Sequence, residues 1–216
     1  PLGPAGKELA IESLDDEDRV VQRKAAKALL HFDEPEAAKR LFLHSNDAVR
    51  ITAMNHTSLP EEALRSGLED PHEGVREAAL DNVFKRQIQV SMDALVPFLQ
   101  SGLQTVNILI WVAQHEPNRL GELTASVKPG DMKALGDHLR REVIESDDPL
   151  MQHLIEGGLL QPVARWVISQ GASEDALRWS LINDERLHVI ERSKLLERLI
   201  GRADEPSVIE QTQTLL

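Results

Sequence analysis

The chain contains no cysteine and no tyrosine, and only four phenylalanines and three tryptophans among its 216 residues. Without cysteine there are no disulfides, no thiolate nucleophiles and no thiolate metal sites, and a reducing cytoplasm is the expected location. The scarcity of aromatic residues, which favour strands, argues against a β-rich fold. Long apolar runs are missing too. The longest, Ile108 to Ala113, falls far short of the roughly 20 residues a membrane-spanning helix needs, so no membrane partner is expected. Basic excess is also lacking: 24 lysines and arginines face 36 acids, a net charge of −12, and every quarter of the chain holds more acids than bases. Duplex nucleic-acid binding draws much of its affinity from phosphate neutralisation, which puts that class of function at a disadvantage.

What the chain does have is leucine, 31 residues of it, within a hydrophobic content of 41% that excludes a disordered chain. Leucine is a strong helix former, so the expected fold is all-α, helix packed on helix, in one domain or two small ones. Residues 1–6, with two prolines and no periodicity, read as a disordered leader or a remnant of how the chain was produced, outside the fold.

The first half repeats. Leu14, Asp16, Val21, Gln22 and Ala25 align with Leu68, Asp70, Val75, Arg76 and Ala79. Between them Leu43, Asn46, Val49, Arg50 and Ala53 give the same pattern one residue shorter, so the valines recur at 21, 49 and 75, spacings of 28 and 26. Asp16, Asn46 and Asp70 are expected to cap helix N-termini, where unpaired amides need side-chain acceptors, and Pro71 suits a first turn. Val75 and Ala79 share one helix face, the alanine leaving room for a neighbouring helix. Shorter helices are expected in between, with Asp33 to Glu36 resembling a capping box with an early proline and Ser58-Leu59-Pro60 leading into Ala63, Leu64 and Leu68.

The stretch from Leu68 through Asp70, Val75 and Arg76 to Ala79 resembles the second helix of a HEAT repeat. The longer series Val49-Arg50, Ala53-Met54-Asn55, Leu59-Pro60-Glu61, Leu64, Leu68, Asp70, Val75-Arg76 and Asn82 is more similar to the leucine-rich repeat variant of bacterial proteins. The period favours the latter, because HEAT units take roughly 40–47 residues. The resemblance covers residues 14–83 and implies a right-handed α-solenoid pairing a helix with a shorter helix. Some members of the variant family carry an iron–sulfur module on cysteines, which this chain does not have.

On this reading residues 7–86 are short HEAT-like repeats and residues 87–216 degenerate helical repeats with a C-terminal cap, continuous with the first part. Met92, Leu95, Val96 and Leu99 make an apolar face, and Val106 to Val112 reads as a buried helix because no partner strands accompany it. Further helices are expected after Lys128 to Asp131, after Asp147-Asp148-Pro149, over Leu160 to Ile168, Ala176 to Leu181 and Leu187 to Ile200, and in a short terminal piece from Pro206. Expected caps are Ser173 and Asp184, and expected stops are Gly157-Gly158, Gly171 and Gly201.

No motif of enzyme chemistry emerges. His72-Glu73 and His115-Glu116 lack a second histidine four residues on from the first, and no nucleophile elbow, phosphate loop or dinucleotide fingerprint occurs. Neither a cofactor nor a metal is expected. One cluster stands out. Arg19, Arg23 and Lys27, four apart with Lys24 beside them, lie opposite Val21, Ala25, Ala28 and Leu29, and Lys39 and Arg40 extend the set. The cluster is either a solvated face balanced by residues 15–18 or a docking surface for an acidic partner or a phosphate backbone. It forms the candidate partner-binding set. Arg50 and Arg76 read as ligand contacts or as rungs of a ladder between units. Trp111 reads as core, and Trp166 and Trp179 as core or as partly exposed anchors. The expected function is a non-enzymatic protein-interaction adaptor. The HEAT likeness also implies two alternatives: nucleic-acid binding, as in DNA-repair glycosylases, and chromophore lyase activity, for which no residue here identifies the chemistry.

Overall fold

The computed structural model describes residues 3–142, 144, 148–170 and 174–201, which hold fourteen α-helices, two 3-10 turns and no strand. Residues 1–2, 143, 145–147, 171–173 and 202–216 lie outside the described set, and with them the expectations for Asp147, Gly171, Ser173 and the terminal helix from Pro206. The chain divides into two units, Pro1–Ala94 and Leu95–Leu216.

In the first unit α1 (Pro4–Glu12) leads through a 3-10 turn at Ser13–Asp15 into α2 (Arg19–Leu29), α3 (Pro35–Phe42), α4 (Asp47–Met54), α5 (Glu61–Gly67), α6 (Glu73–Lys85) and the start of α7 (Met92–Ser101). Helix α1 takes in Pro4 to Gly6, against the expectation that residues 1–6 stand outside the fold. Pro4 stands in the first turn, where no amide is needed, and the Gly3 carbonyl accepts the amides of Gly6 and Lys7.

Helices α2, α4 and α6 start alike. The Asp16 carboxylate accepts the Asp18 amide at 2.8 Å, and Asp18 accepts the Val20 amide at 2.7 Å. His44 and Asn46 repeat this with the Asn46 and Ala48 amides, and Asp70 and His72 with the His72 and Gly74 amides. The caps are therefore Asp18, Asn46 and His72, each three residues before its valine; Asp16 and Asp70, expected as caps, instead fix the cap residue from two positions upstream. Alignment on these caps needs no gap. Leu43 is 68% exposed and does not open a unit; half-buried Phe42 takes the position of buried Leu14 and Leu68.

The short helices start differently from expectation. Pro35 does open α3, but Glu34 precedes it without a side-chain cap, and Pro60 precedes α5 likewise. Asp33 instead accepts the hydroxyls of Thr57 (2.9 Å) and Ser58, tying one short-helix turn to the next. Helices α2, α4 and α6 pack in sequence, α2 on α4 and α4 on α6, although α4, at eight residues, is no longer than α3 and departs from the expected pairing of a helix with a shorter one. Val49, Val75, Ala53 and Ala79 are fully buried, and Val21 is half-buried. At Gly67 an added Cβ would sit 2.8 Å from Met54 Sδ and 2.9 Å from Ala79 Cβ, so this close approach requires glycine.

The second unit contains the remainder of α7, then α8 (Thr105–His115), a 3-10 turn at Pro117–Arg119, α9 (Leu120–Thr124), α10 (Pro129–Leu139), α11 (Pro149–Glu156), α12 (Leu160–Ser169), α13 (Asp175–Asn183) and α14 (Val189–Ile200). Residues Val106 to Val112 are helical, with Ile108, Leu109, Trp111 and Val112 buried. Alternate helices again pack, α8 on α10, α10 on α12 and α12 on α14. Asp148 caps α11 through the Leu150 amide at 2.8 Å, and Gly157-Gly158 ends it, Gly158 at φ +83°. The cap of α14 is His188; Asp184, expected there, accepts the Arg186 amide in the preceding turn. Trp166 is 1% exposed and belongs to the core, and Trp179 is half-buried. Arg178 is equally buried, paired with Asp175 and donating to the carbonyls of Val167 (3.0 Å) and Gln170 (3.2 Å).

Candidate interaction surface

Helix α2 buries Ala25, Ala26 and Leu29, leaving Val21, Gln22 and Ala28 half-buried at the edges. Its exposed positions are Arg19, Val20, Arg23, Lys24 and Lys27, an arc of about 140° at 3.6 residues per turn. Four of the five are basic and none is acidic. The helix adopts this orientation because its alanines and leucine pack inward on the cluster containing Leu14, Leu41, Val49 and Ala53.

Four of the six candidate residues line two depressions, and Lys24 and Lys27 lie on the open face of α2. Arg19 and Arg23 line a shallow cleft between the starts of α2 and α4, together with Val20, Asn46, Asp47 and Ala48. Lys39 and Arg40 line a second depression with Asp15, Glu36 and His44. Arg19 is paired with Asp47 at 3.1 Å and Arg40 with Asp15 at 2.6 Å, so two of the six cations are compensated. Arg23, Lys24, Lys27 and Lys39 make no ion pair among the described residues. Of the acids of residues 15–18, Asp15 meets Arg40, while Asp16 and Asp18 receive backbone amides and keep their charge just before the stripe.

Two residues of this surface were not singled out from the sequence. Asp47 holds Arg19 on one side and His72 Nε2 (3.2 Å) on the other, and Val20 lies 47% exposed among the cations. The repeat alignment contained a signal for Asp47, which follows the cap in its unit as Arg19 does in its own.

Arg50 is a rung between units, and Arg76 ties down the turn before its own helix. Arg50 donates from Nε and Nη2 to the two oxygens of Asp70 (2.8 and 3.0 Å) and from Nη1 to the carbonyls of His44 and Ser45, both at 3.0 Å. Arg76 Nη1 donates to the carbonyls of Asp70 (2.8 Å) and Pro71 (3.0 Å). Gln22 holds the same place one unit earlier, donating to the Asp16 carbonyl at 2.6 Å and accepting from Asn46 at 2.7 Å. Burial pushes the Asp70 carboxyl up, but the Arg50 fork and the His72 amide outweigh it and hold the group below the ordinary carboxylate range. The same fork raises the Arg50 pKa. The guanidinium is thus committed to the rung.

No group of three metal-ligating side chains occurs among the described residues, and no helix there is long and apolar enough to cross a membrane. Comparison with protein-family models, curated proteins and solved structures returns no match.

Proposed function

We propose that the chain is a non-enzymatic protein-interaction adaptor, a right-handed α-solenoid of short HEAT-like repeats that binds its partner at the basic face of α2. Supporting the solenoid are the recurring double caps at 16/18, 44/46 and 70/72 and the polar rungs between them. In solenoids each unit contacts its neighbours and function is spread over an extended surface, consistent with a chain that has no catalytic motif. The observation that carries the binding site is the cluster of Arg23, Lys24 and Lys27, exposed and uncompensated among the described residues of a chain with net charge −12. A chain so short of cations that leaves three together has a surface suited to an anionic partner. A cytoplasmic site of action accords with the absence of cysteine.

A photo-crosslinking residue at position 24, with exposed position 114 as control, tests the site in extracts of the source cells. The reading expects protein adducts from position 24 that the control lacks and that vanish when Arg23 and Lys27 are reversed to Glu. Adducts sensitive to nuclease, or no difference from the control, would overturn it. Nucleic acid is the second reading, favoured by the same three cations; low-salt binding of duplex DNA abolished by these reversals would establish it.

A further inference from the structure

We infer that the basic face of α2 takes a short acidic peptide segment whose central aliphatic side chain seats against Val20; the inference rests on the adaptor reading above. Val20 is 47% exposed, although every other apolar residue of α2 is buried or half-buried. It precedes Arg23, Lys24 and Lys27 by three, four and seven positions, the spacings that bring side chains onto one helix surface. The cleft beside it, lined by Val20 and Ala48 together with Arg19, Arg23, Asn46 and Asp47, measures about 180 Å³. An enclosed cavity of about 150 Å³ holds a benzene-sized group, so this open cleft has room for one branched aliphatic side chain lying partly covered. The surface thus offers an apolar seat with cations along one side, and its complement is an aliphatic residue flanked by carboxylates.

The borders of the patch argue for peptide over nucleic acid. Asp47 closes one side of the cleft and has already neutralised Arg19. Asp16, Glu17 and Asp18 are exposed just before α2. The uncompensated cations therefore span only Arg23 to Lys27, about 6 Å along the axis at 1.5 Å per residue. A duplex, with one phosphate charge per roughly 1.7 Å, extends past this length and meets the flanking acids. A peptide can place two or three carboxylates within that length and bring an apolar residue to the same point.

The test is selection of random dodecapeptides on the full chain, with the Arg23→Glu/Lys24→Glu/Lys27→Glu variant as counter-target, followed by fluorescence polarisation of the selected peptide and of a 16-base-pair duplex. Selected peptides should carry an aliphatic residue flanked by Glu or Asp. Binding should weaken at least tenfold on Val20→Ser or on changing the aliphatic residue to Ser, and should be lost in the triple reversal. All these positions are exposed, and an unchanged circular dichroism spectrum verifies that each variant is folded. Peptides without acids, peptides retained by the triple reversal, or indifference to the aliphatic residue would overturn the inference, leaving the adaptor reading intact if crosslinked proteins are still found at position 24. Tighter binding of the duplex than of any peptide would overturn both.

Discussion

The two units solve the same packing problem with different polar chemistry. In the first, helix caps at 18, 46 and 72 recur at 28 and 26 residues, and side chains reach from one repeat to the next: Arg19 to Asp47, Arg50 to Asp70, Asn82 to Asn55 at 3.3 Å. In the second, alternate helices still pack, but their caps at 104, 128, 159 and 188 are spaced 24, 31 and 29 apart, and Gln104 and Leu159, unlike Asp18, Asn46 and His72, accept no helix amide through their side chains. Among its described residues the buried polar groups are the Asp175–Arg178 pair with its neighbour Glu174, Thr105, and Glu191, which accepts from Gln161 at 3.3 Å across alternate helices. Helix-on-helix packing tolerates wide variation in sequence provided the buried face stays apolar, whereas polar rungs demand matched partners at a fixed distance along the chain.

The largest contrast should come from deletion. Removing Asp47–His72 joins Asn46 to Glu73 and preserves a capped helix start, so the shortened chain should remain helical and unfold cooperatively. Removing Pro129–Leu154, the same length from the second unit, should abolish cooperative unfolding of that unit by circular dichroism in denaturant. If the first deletion unfolds the chain as completely as the second, the repeat reading of the first unit fails.

Next in size is Arg178→Ala. It strips the buried Asp175 of its cation and leaves the Val167 and Gln170 carbonyls without their donor, at a cost of about 3–5 kcal/mol in urea titration. Arg50→Met should cost less, about 2 kcal/mol, because the Asp70 carboxylate retains the His72 amide. Equal costs would mean that the open ladder carries as much as the buried pair. Arg186→Met, which breaks an exposed pair with Asp184, should change stability by less than about 0.5 kcal/mol.

The smallest effect is an acid one. The Asp70 carboxyl is held below its ordinary value in the folded chain, so the unfolded chain binds protons first as pH falls. The stability it contributes is complete above the unfolded value of about 3.9 and is lost as pH drops through the lower folded value. Asp33, lowered by the Ser58 and Thr57 hydroxyls, acts in the same sense. Asp70→Asn should therefore flatten the decline in melting temperature between about pH 4 and pH 2. An unchanged slope would show that the ladder contributes nothing to acid sensitivity.

Much of the helical pattern was legible because it depends on near neighbours. Val49, Val75, Ala53 and Ala79 lie buried on the faces their spacing indicates, and the apolar stretch around Trp111 is a buried helix. The caps were less legible. Asp16 and Asp18 are both good acceptors two residues apart, and which one caps depends on which amide begins the helix. Leu43 matched by letter but not by position, because the cap alignment puts Phe42 in the buried place. Asp33 and Ser58 each had the composition of a cap, yet they bond to one another across 25 residues. The basic stripe of α2 was readable from helical spacing, but its division by Asp47 and Asp15 was not, since those acids arrive from other helices or turns.

The sequence alone determined that the described chain is helical and where its apolar faces lie, because helix formation rests on bonds four residues apart and on a 3.6-residue period. Tertiary structure decided which polar groups meet across 20 to 28 residues and which cations stay uncompensated. Those outcomes depend on the packing of one helix against the next, which places Asp47 beside Arg19 and leaves Arg23, Lys24 and Lys27 facing solvent.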